Sequence, residues 1–279
     1  MSGLSIGDLA TRTGVPPSTL RTWELRYAIP ASSRGPGGHR RYDGAAVDLV
    51  LEVVRQRASG LSMAMAVDRA KDLVGQPEMS VFAAVSRRFP DLRVQRLRKP
   101  ALLALCRAIE DECCASADRP LLFASFQREK FYRASQVRWR ELSRTARSTI
   151  VFADFASSSP TVTYPLEVAV PFDAALNREW VLVCDAPDQP GCVVGWEPAG
   201  QAETRDRDRH FEALWSVDAR VVRHAARVCA GLSRLYRPGT PSLLDQLEAT
   251  PPEASPELRR ASAVLDRMLG YLSDASARD

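Results

Sequence analysis

The chain has 279 residues, 45% hydrophobic and 26% charged, which are ordinary globular values and leave room for about two domains. A net charge of +4 is too small to imply a nucleic-acid partner by itself, so where the charge sits matters more than its total. No run approaches 18 apolar residues and the N-terminus lacks the apolar centre of a signal peptide, which predicts a cytosolic protein without a membrane span.

In chain order, Ile6, Leu9 and Ala10 sit at helical spacing behind Ser5, a candidate N-cap, and Gly14 closes that helix in the left-handed region. Pro16 and Pro17 open a second helix through about Tyr27, with Pro30 as its stop. It carries Thr19, Arg21, Thr22, Trp23 and Arg26. The segment Arg34 to Tyr42 comes next, glycine-rich and basic. Together these outline a helix–turn–helix with a wing. A short helix fits the major groove, where arginine bonds a guanine edge or a phosphate. Arg40 and Arg41 supply charge for phosphates, and His39 and Tyr42 can pack or bond beside them.

Asp43 caps a further helix bearing Val47, Val50, Leu51 and Val54, which Gly60 ends. Ser62 begins another with Met63, Ala66, Val67 and Ala70, and both should close a core behind the reading pair. Gly75-Gln-Pro77 breaks the pattern and reads as a short linker.

The quoted residues carry a family resemblance. Ile6-Gly-Asp-Leu-Ala10, Gly14-Val-Pro16, Thr19-Leu-Arg-Thr-Trp-Glu24 and Gly37-Gly-His-Arg-Arg-Tyr42 resemble the DNA-binding domain of the MerR family of transcription regulators, over Met1 to about Gly75. The resemblance implies that Thr19, Arg21 and Thr22 face the major groove. It leaves Trp23 either against a sugar–phosphate strand or supporting the helix from the core. It implies that Arg34, Arg40 and Arg41 clamp the DNA backbone from the wing, with Tyr42 a core residue that also bonds a phosphate, and that Glu24 braces Arg26 or Arg41. Two departures matter. Thr22-Trp23 stands where metal-sensing members have two tyrosines, and Arg26-Tyr27 with the Gly-Gly-His wing resembles a subgroup that includes light-responsive, cobalamin-binding regulators. Asp208-Arg-His210 resembles the start of a cobalamin motif, but Ala213 replaces its glycine and the partner segments are missing.

The next block spans residues 79–235. Val81, Phe82, Val85 and Phe89 make a short amphipathic helix, and Pro90 and Pro100 interrupt the stretch after it. Ala101 to Ala115 reads as a helix with Leu102, Leu103, Leu105, Cys106 and Ile109 mostly buried. Leu121 to Phe126 reads as a strand, Gln127 to Thr145 as an arginine-studded helix, and Thr149 to Phe155 as a strand. Val168 to Phe172 is a weaker strand, and Trp180–Cys184 with Cys192–Trp196 a hairpin. Phe211–Trp215 and Ala219–Leu235 read as helices, giving an α/β domain whose mixed sheet has helices on one or both faces.

This block resembles the DICT domain, a sensory module, through Ala108-Ile-Glu-Asp-Glu112, Phe126-Gln-Arg-Glu129, Phe131-Tyr-Arg133, Arg138-Trp-Arg-Glu-Leu142, Val151-Phe-Ala-Asp-Phe155, Glu179-Trp180 and Gly195-Trp-Glu197. The resemblance implies a signal-receiving role and supplies no ligand, so the signal stays open between a small molecule and a protein. Glu110, Phe126, Arg128, Tyr132, Arg133, Trp139, Asp154, Phe155 and Trp196 mix aromatic and charged groups as a pocket wall would. The same mixture suits a core edge under a solvated helix face. Glu110 and Asp154 either pair with Arg128 or Arg133 or touch a ligand.

Residues 236–279 read as a proline-rich linker and a terminal amphipathic helix whose stripe, Leu258, Val264, Leu265, Met268, Leu269 and Leu272, either docks on the domain or pairs with another subunit. The six cysteines show no CxxC and the three histidines no zinc spacing, so no metal, cofactor or catalytic group is expected. The whole reads as a multidomain regulator, an all-α winged helix–turn–helix unit before an α/β sensory domain. It is expected to act as a homodimer on inverted-repeat promoter DNA and to influence RNA polymerase. A small-molecule or thiol-redox enzyme with a DNA-binding domain, and a signal-independent architectural DNA binder, are the alternatives.

Overall fold

The computed structural model describes residues 4–34, 38–75, 78–158, 164–247, 249 and 251–276, and, within helices, no side chains at 72–75, 245 and 272–276. The wing tip at 35–37, the linker residues 76–77 and the side chain of Leu272 therefore lie outside the described residues. The chain divides into two compact units, Met1–Pro77 and Glu78–Asp279.

In the first unit, α1 (Ile6–Thr13) starts on a capping box. Asp8 donates its N–H to Ser5 Oγ (3.2 Å), while the Ser5 N–H donates back to Asp8 Oδ2 (2.9 Å). Gly14 ends the helix at φ +68, a conformation that a Cβ would strain. α2 (Pro17–Tyr27) carries proline at its first position and ends at Ala28, itself left-handed at φ +55, two residues before the expected stop at Pro30. A two-stranded hairpin of β1 (Ser33–Arg34) and β2 (Arg40–Arg41) forms the wing. α3 (Gly44–Ala58), capped by Asp43, and α4 (Met63–Gly75) complete the unit.

Two small cores hold it. Leu9, Val15, Leu20, Tyr42, Ala46 and Val50 form one; Ile29, Val53, Ala66, Val67 and Ala70 form the other. Trp23 packs against both.

The second unit is built on a seven-stranded sheet. Its elements run α5 (Val81–Arg88), β3 (Gln95–Arg98), α6 (Lys99–Ile109), a π-turn at Glu110–Cys114, β4 (Leu121–Ser125), α7 (Glu129–Thr145), β5 (Ser148–Ala153), β6 (Leu166–Ala169), β7 (Glu179–Asp185), β8 (Gly191–Trp196), β9 (His210–Ser216), α8 (Ala219–Tyr236) and α9 (Pro256–Ser276). The strand order is β3-β9-β8-β7-β4-β5-β6, with β4, β5 and β6 parallel and the other neighbours antiparallel. Both faces are covered, so central strands are apolar throughout rather than alternating. Leu121, Phe123, Ile150 and Phe152 point to the layer of α5 and α8; Leu122, Ala124, Val151 and Ala153 point to that of α6 and α7.

Three expectations are corrected. Residues 211–215 form a strand, not a helix: Phe211 and Ala213 face one layer and Leu214 the other, and pairing with β3 and β8 decides between two periods that so short a run satisfies. Pro100 does not interrupt this region; it stands in the first turn of α6, where its missing N–H costs nothing. The helix expected over 101–115 starts at Lys99, turns π-helical at Glu110, and leaves Leu103 41% exposed. The tail joins the second unit: Leu243 and Leu247 enter its core. α9 is amphipathic as expected and touches β3.

Candidate functional site

The outward face of α2 is set by its period. Leu20 is buried and Trp23, Glu24 and Tyr27 turn inward or sideways, so Ser18, Arg21, Thr22, Leu25 and Arg26 share the solvent side. Thr19 is half-buried at its margin. Thr22 donates its hydroxyl back to the Ser18 carbonyl (3.0 Å). Lys71 donates to the Tyr27 carbonyl (3.2 Å), a cation at the negative end of the helix dipole.

The wing is locked to this helix by one carboxylate. Glu24 accepts from the Ser32 hydroxyl (2.9 Å) and the Tyr42 hydroxyl (3.4 Å), and pairs with Arg40 Nε (3.1 Å). Glu24 thus braces Arg40, not the expected Arg26 or Arg41. Arg34 and His39 are exposed and Arg41 is half-buried. Tyr42 is 2% exposed, with its backbone bridged to Leu4 and its hydroxyl on Glu24, so the expected phosphate contact gives way to a core and bracing role. Its phenol is pushed up by burial and by Glu24. Trp23 takes the core alternative.

Of the candidate ligand residues of the second unit, most aromatic members are buried in its core and the charged members are paired. Tyr132 (1% exposed), Trp139 (1%) and Phe155 (6%) are core. Phe126 packs on Tyr132 and Trp139 at 5.4 and 6.0 Å between ring centres, and Tyr132 meets Phe155 edge-on at 5.6 Å. The charged members are paired. Arg133 bonds both oxygens of Glu167 (2.5 and 3.0 Å) and Glu129, and its guanidinium lies 5.2 Å from the rings of Tyr132 and Phe155. Arg128 pairs with Asp154 (3.2 Å), whose other oxygen accepts the Glu129 N–H at the start of α7. Glu110, on the π-turn, pairs with Arg138 and with Arg107 (3.3 Å), not with Arg128 or Arg133. Trp196 is half-buried under Arg178, 4.6 Å away. Arg133 of α7 therefore covers the Tyr132 and Phe155 rings.

All six cysteines are free and buried. Burial pushes Cys106 and Cys192 up to about 12 and Cys113 to about 11, far from the thiolate a redox site needs. No group of metal-ligating side chains, and no helix long and apolar enough to cross a membrane, occurs among the described residues. His210 sits on β9, held low by burial and by Arg96 and Arg98.

Residues 5–42 match the family model described as MerR family regulatory protein, and residues 80–198 match DICT, described as a sensory domain in diguanylate cyclases and two-component systems. The chain thus carries a MerR-type segment over residues 5–42 and a DICT-type segment over residues 80–198. It is 33% identical over 81 residues to the HTH-type transcriptional regulator MlrA of Escherichia coli (strain K12), covering 29% of this chain and 32% of that one. The MlrA of Salmonella typhimurium (strain SL1344) is 33% identical over 63 residues, covering 23% and 26%. The chain thus spans about a third or less of the length of the curated relatives it matches.

Two features of the MerR-type domain escape sequence reasoning: Ser18 and Leu25, the latter 87% exposed. Their signal is positional, since both share the face of Arg21 and Thr22 at spacings of three and four. In the DICT domain the missed residue is Glu179, wholly buried at the start of β7. It accepts from the Ser80 hydroxyl and from the Val81 N–H (2.9 Å), so it binds the N-terminal end of α5 to the sheet. A second missed group joins Gln127, Glu197 and Arg209 to Asp206, which holds the buried Lys99 ammonium through both oxygens at 2.6 Å. Ser80 and Glu179, Gln127 and Glu197, and Lys99 and Asp206 lie 99, 70 and 107 residues apart, and only the fold brings them together.

Proposed function

We propose that this chain is a cytoplasmic, sequence-specific DNA-binding transcription regulator and not an enzyme. Residues 1–75 read DNA, residues 79–235 receive a signal, and residues 236–279 form a linker and an amphipathic helix. The observation that carries the reading is the solvent face of α2, with Arg21, Thr22 and Arg26, set beside an arginine-bearing hairpin by Glu24. The name of the curated relatives, transcriptional regulators of the helix–turn–helix type, supports it.

In this reading Arg21 and Thr22 meet base edges from the major groove, with Thr19 at the margin. Leu25 adds an apolar contact of the kind a thymine methyl or a sugar offers. Arg26, Arg34, His39, Arg40 and Arg41 neutralise phosphates. Trp23 and Tyr42 hold helix and wing in register. A two-fold homodimer places one such surface on each half of an inverted repeat. A signal received by the DICT domain, from a small molecule or a protein, then favours a distorted promoter form presented to RNA polymerase, at a deformation cost of about a few kcal/mol.

The test is retention of promoter fragments by the purified chain across a salt series. Arg21→Ala lowers specific affinity by about 1–3 kcal/mol, whereas Arg40→Ala weakens all sequences alike and flattens the salt slope by about one phosphate. Parent protein that shows no salt-sensitive retention on any genomic fragment, or two variants that bind like the parent, would refute the reading.

A further inference from the structure

One end of the sheet gathers buried charge. β4 and β8 end there and β9 and α6 begin there, which brings Gln127, Glu197, Arg209 and Lys99 together. Arg209 is fixed from one side: its Nε donates to Glu197 Oε1 (2.7 Å), and its Nη2 donates to Gln127 Oε1 (2.9 Å) and to Glu197 Oε2. Its Nη1 is left to donate to Asp206 Oδ1 (3.1 Å). The Lys99 side chain is 7% exposed, and its Nζ donates to both Asp206 oxygens at 2.6 Å. That ammonium also lies 4.2 Å from the Phe131 ring centre and 5.9 Å from that of Trp180. The carboxylate joining the two cations is the odd member of the group. Asp206 is 55% exposed and stands on one short turn, Asp206–Asp208, in the β8–β9 connection.

We propose that Lys99 and Arg209 form a binding site for a small carboxylate with an aromatic body, and that Asp206 occupies this site as a displaceable internal stand-in. Both cations keep their places without Asp206. Glu197 and Gln127 hold Arg209, and the Lys99 backbone N–H donates to the Arg209 carbonyl (2.9 Å). Donors already fixed by other groups lose little freedom when a ligand arrives. The head of the ligand follows from what Asp206 does now: two oxygens on the ammonium, one of them shared with Nη1. Its body follows from the half-buried Phe131 and Trp180 rings beside the ammonium. A largely solvated carboxylate is the least costly member to release, whereas a buried ammonium left unpaired is strongly unfavourable, so release of Asp206 needs a replacement anion. The displaced turn stays tied to the sheet through Asp208, which pairs with Arg98 on β3 (2.6 Å). The inference supplies a ligand class for the signal-receiving role of residues 79–235 and rests on that reading.

The experiment is calorimetric titration of the full chain without DNA. Benzoate is the probe, with chloride and inorganic phosphate at matched ionic strength as controls. The parent is expected to bind benzoate saturably, and D206A about ten-fold more tightly, because the competing internal carboxylate is gone. K99M/D206A should fall back to the parent's level or below. Losing a merely structural bridge would not raise an affinity. A second readout needs no variant. The Thr204 and Asp208 amides are bonded within the β8–β9 connection (3.0 and 2.8 Å), and saturating benzoate should speed their exchange several-fold in the parent while leaving β4 unchanged. Benzoate that binds D206A but not the parent, tight binding that survives in K99M/D206A, phosphate binding equal to benzoate binding, or unchanged exchange at Thr204 and Asp208 overturns the proposal. Promoter retention is scored apart. If benzoate fails while a small-metabolite extract still changes that retention, this site is refuted and the signal-receiving reading stands; if no extract changes it, that reading fails instead.

Discussion

Glu179 makes the second unit's stability fall with rising pH. The carboxylate is wholly buried; its partners are the Ser80 hydroxyl and the backbone N–H groups opening α5, and burial pushes it from 4.5 up to about 7. The groups that face it are Cys229 and Tyr236, both neutral at these pH values. The folded chain therefore holds this proton more tightly than the unfolded chain does. Below pH 4.5 the group is neutral in both states and costs nothing. Between 4.5 and 7 only the unfolded chain ionises, so stability declines, and above 7 the full cost is present. At about 1.4 kcal/mol per unit, the displacement corresponds to about 3 kcal/mol.

Glu179→Gln removes the titration while keeping the shape. One oxygen still accepts, and the amide nitrogen can donate to the Ser80 hydroxyl, so the lost bond costs about 1 kcal/mol. Urea unfolding followed at pH 5 and pH 8 should show the parent losing about 2.5 kcal/mol more than the variant across that interval. At pH 8 the variant should equal or exceed the parent. Equal pH slopes in the two proteins would refute the argument, because every other titrating group is common to both.

Three further outcomes rest on the same geometry. Trp139→Ala opens a cavity within the α7 layer and should cost about 3–5 kcal/mol in urea unfolding, against near-neutrality if the tryptophan lined an open pocket. His224 behaves oppositely to Glu179: burial first, then Arg88, pushes it from 6.5 down to about 4, so stability is present above 6.5 and lost as pH falls toward 4. His224→Asn should flatten that acid limb, read as a smaller difference in urea midpoint between pH 4.5 and 7. Glu24→Ala removes a negative charge from the DNA-facing unit, yet should weaken DNA binding in gel retardation, because it frees Arg40, Ser32 and Tyr42 together. Tighter binding would mean that charge, not the wing's position, is what Glu24 controls.

The legible parts of this molecule are those fixed by local chemistry. Ser5 and Gly14 bound α1, and Pro17 and Asp43 open α2 and α3, each by chemistry local to its own helix end. The solvent face of α2 follows from period alone once Leu20 is placed inside. What escapes depends on long-range pairing. β3 reads Gln-Arg-Leu-Arg, too polar for a strand until an edge position explains it, since charged side chains there discourage further pairing. β9 is ambiguous until its neighbours are known. The aromatic and charged residues of α7 resemble a pocket because core aromatics and the arginine that covers them have the composition of one. Separating the two requires Glu167, which stands 34 residues from Arg133 and reaches it only through β6.

The distribution of charge ties the two units to different tasks. Residues 5–42 contain six arginines against Asp8 and Glu24, so that stretch alone carries +4, the net charge of the entire chain, and the remaining 241 residues balance to zero. In the second unit the balance is made pair by pair, as Arg133 with Glu167, Arg138 with Glu110, Arg209 with Glu197 and Arg223 with Asp185 show. Charges matched at contact distance have little field beyond a Debye length, about 10 Å at 0.1 M salt. An unmatched cluster on a small domain keeps its field and draws a polyanion to it. The modest total that gives no hint of a nucleic-acid partner is thus the sum of a concentrated stretch, residues 5–42, and a remainder that balances to zero. A two-fold dimer doubles the concentrated part without adding charge elsewhere, so its affinity for DNA should depend on salt as steeply as those few arginines allow.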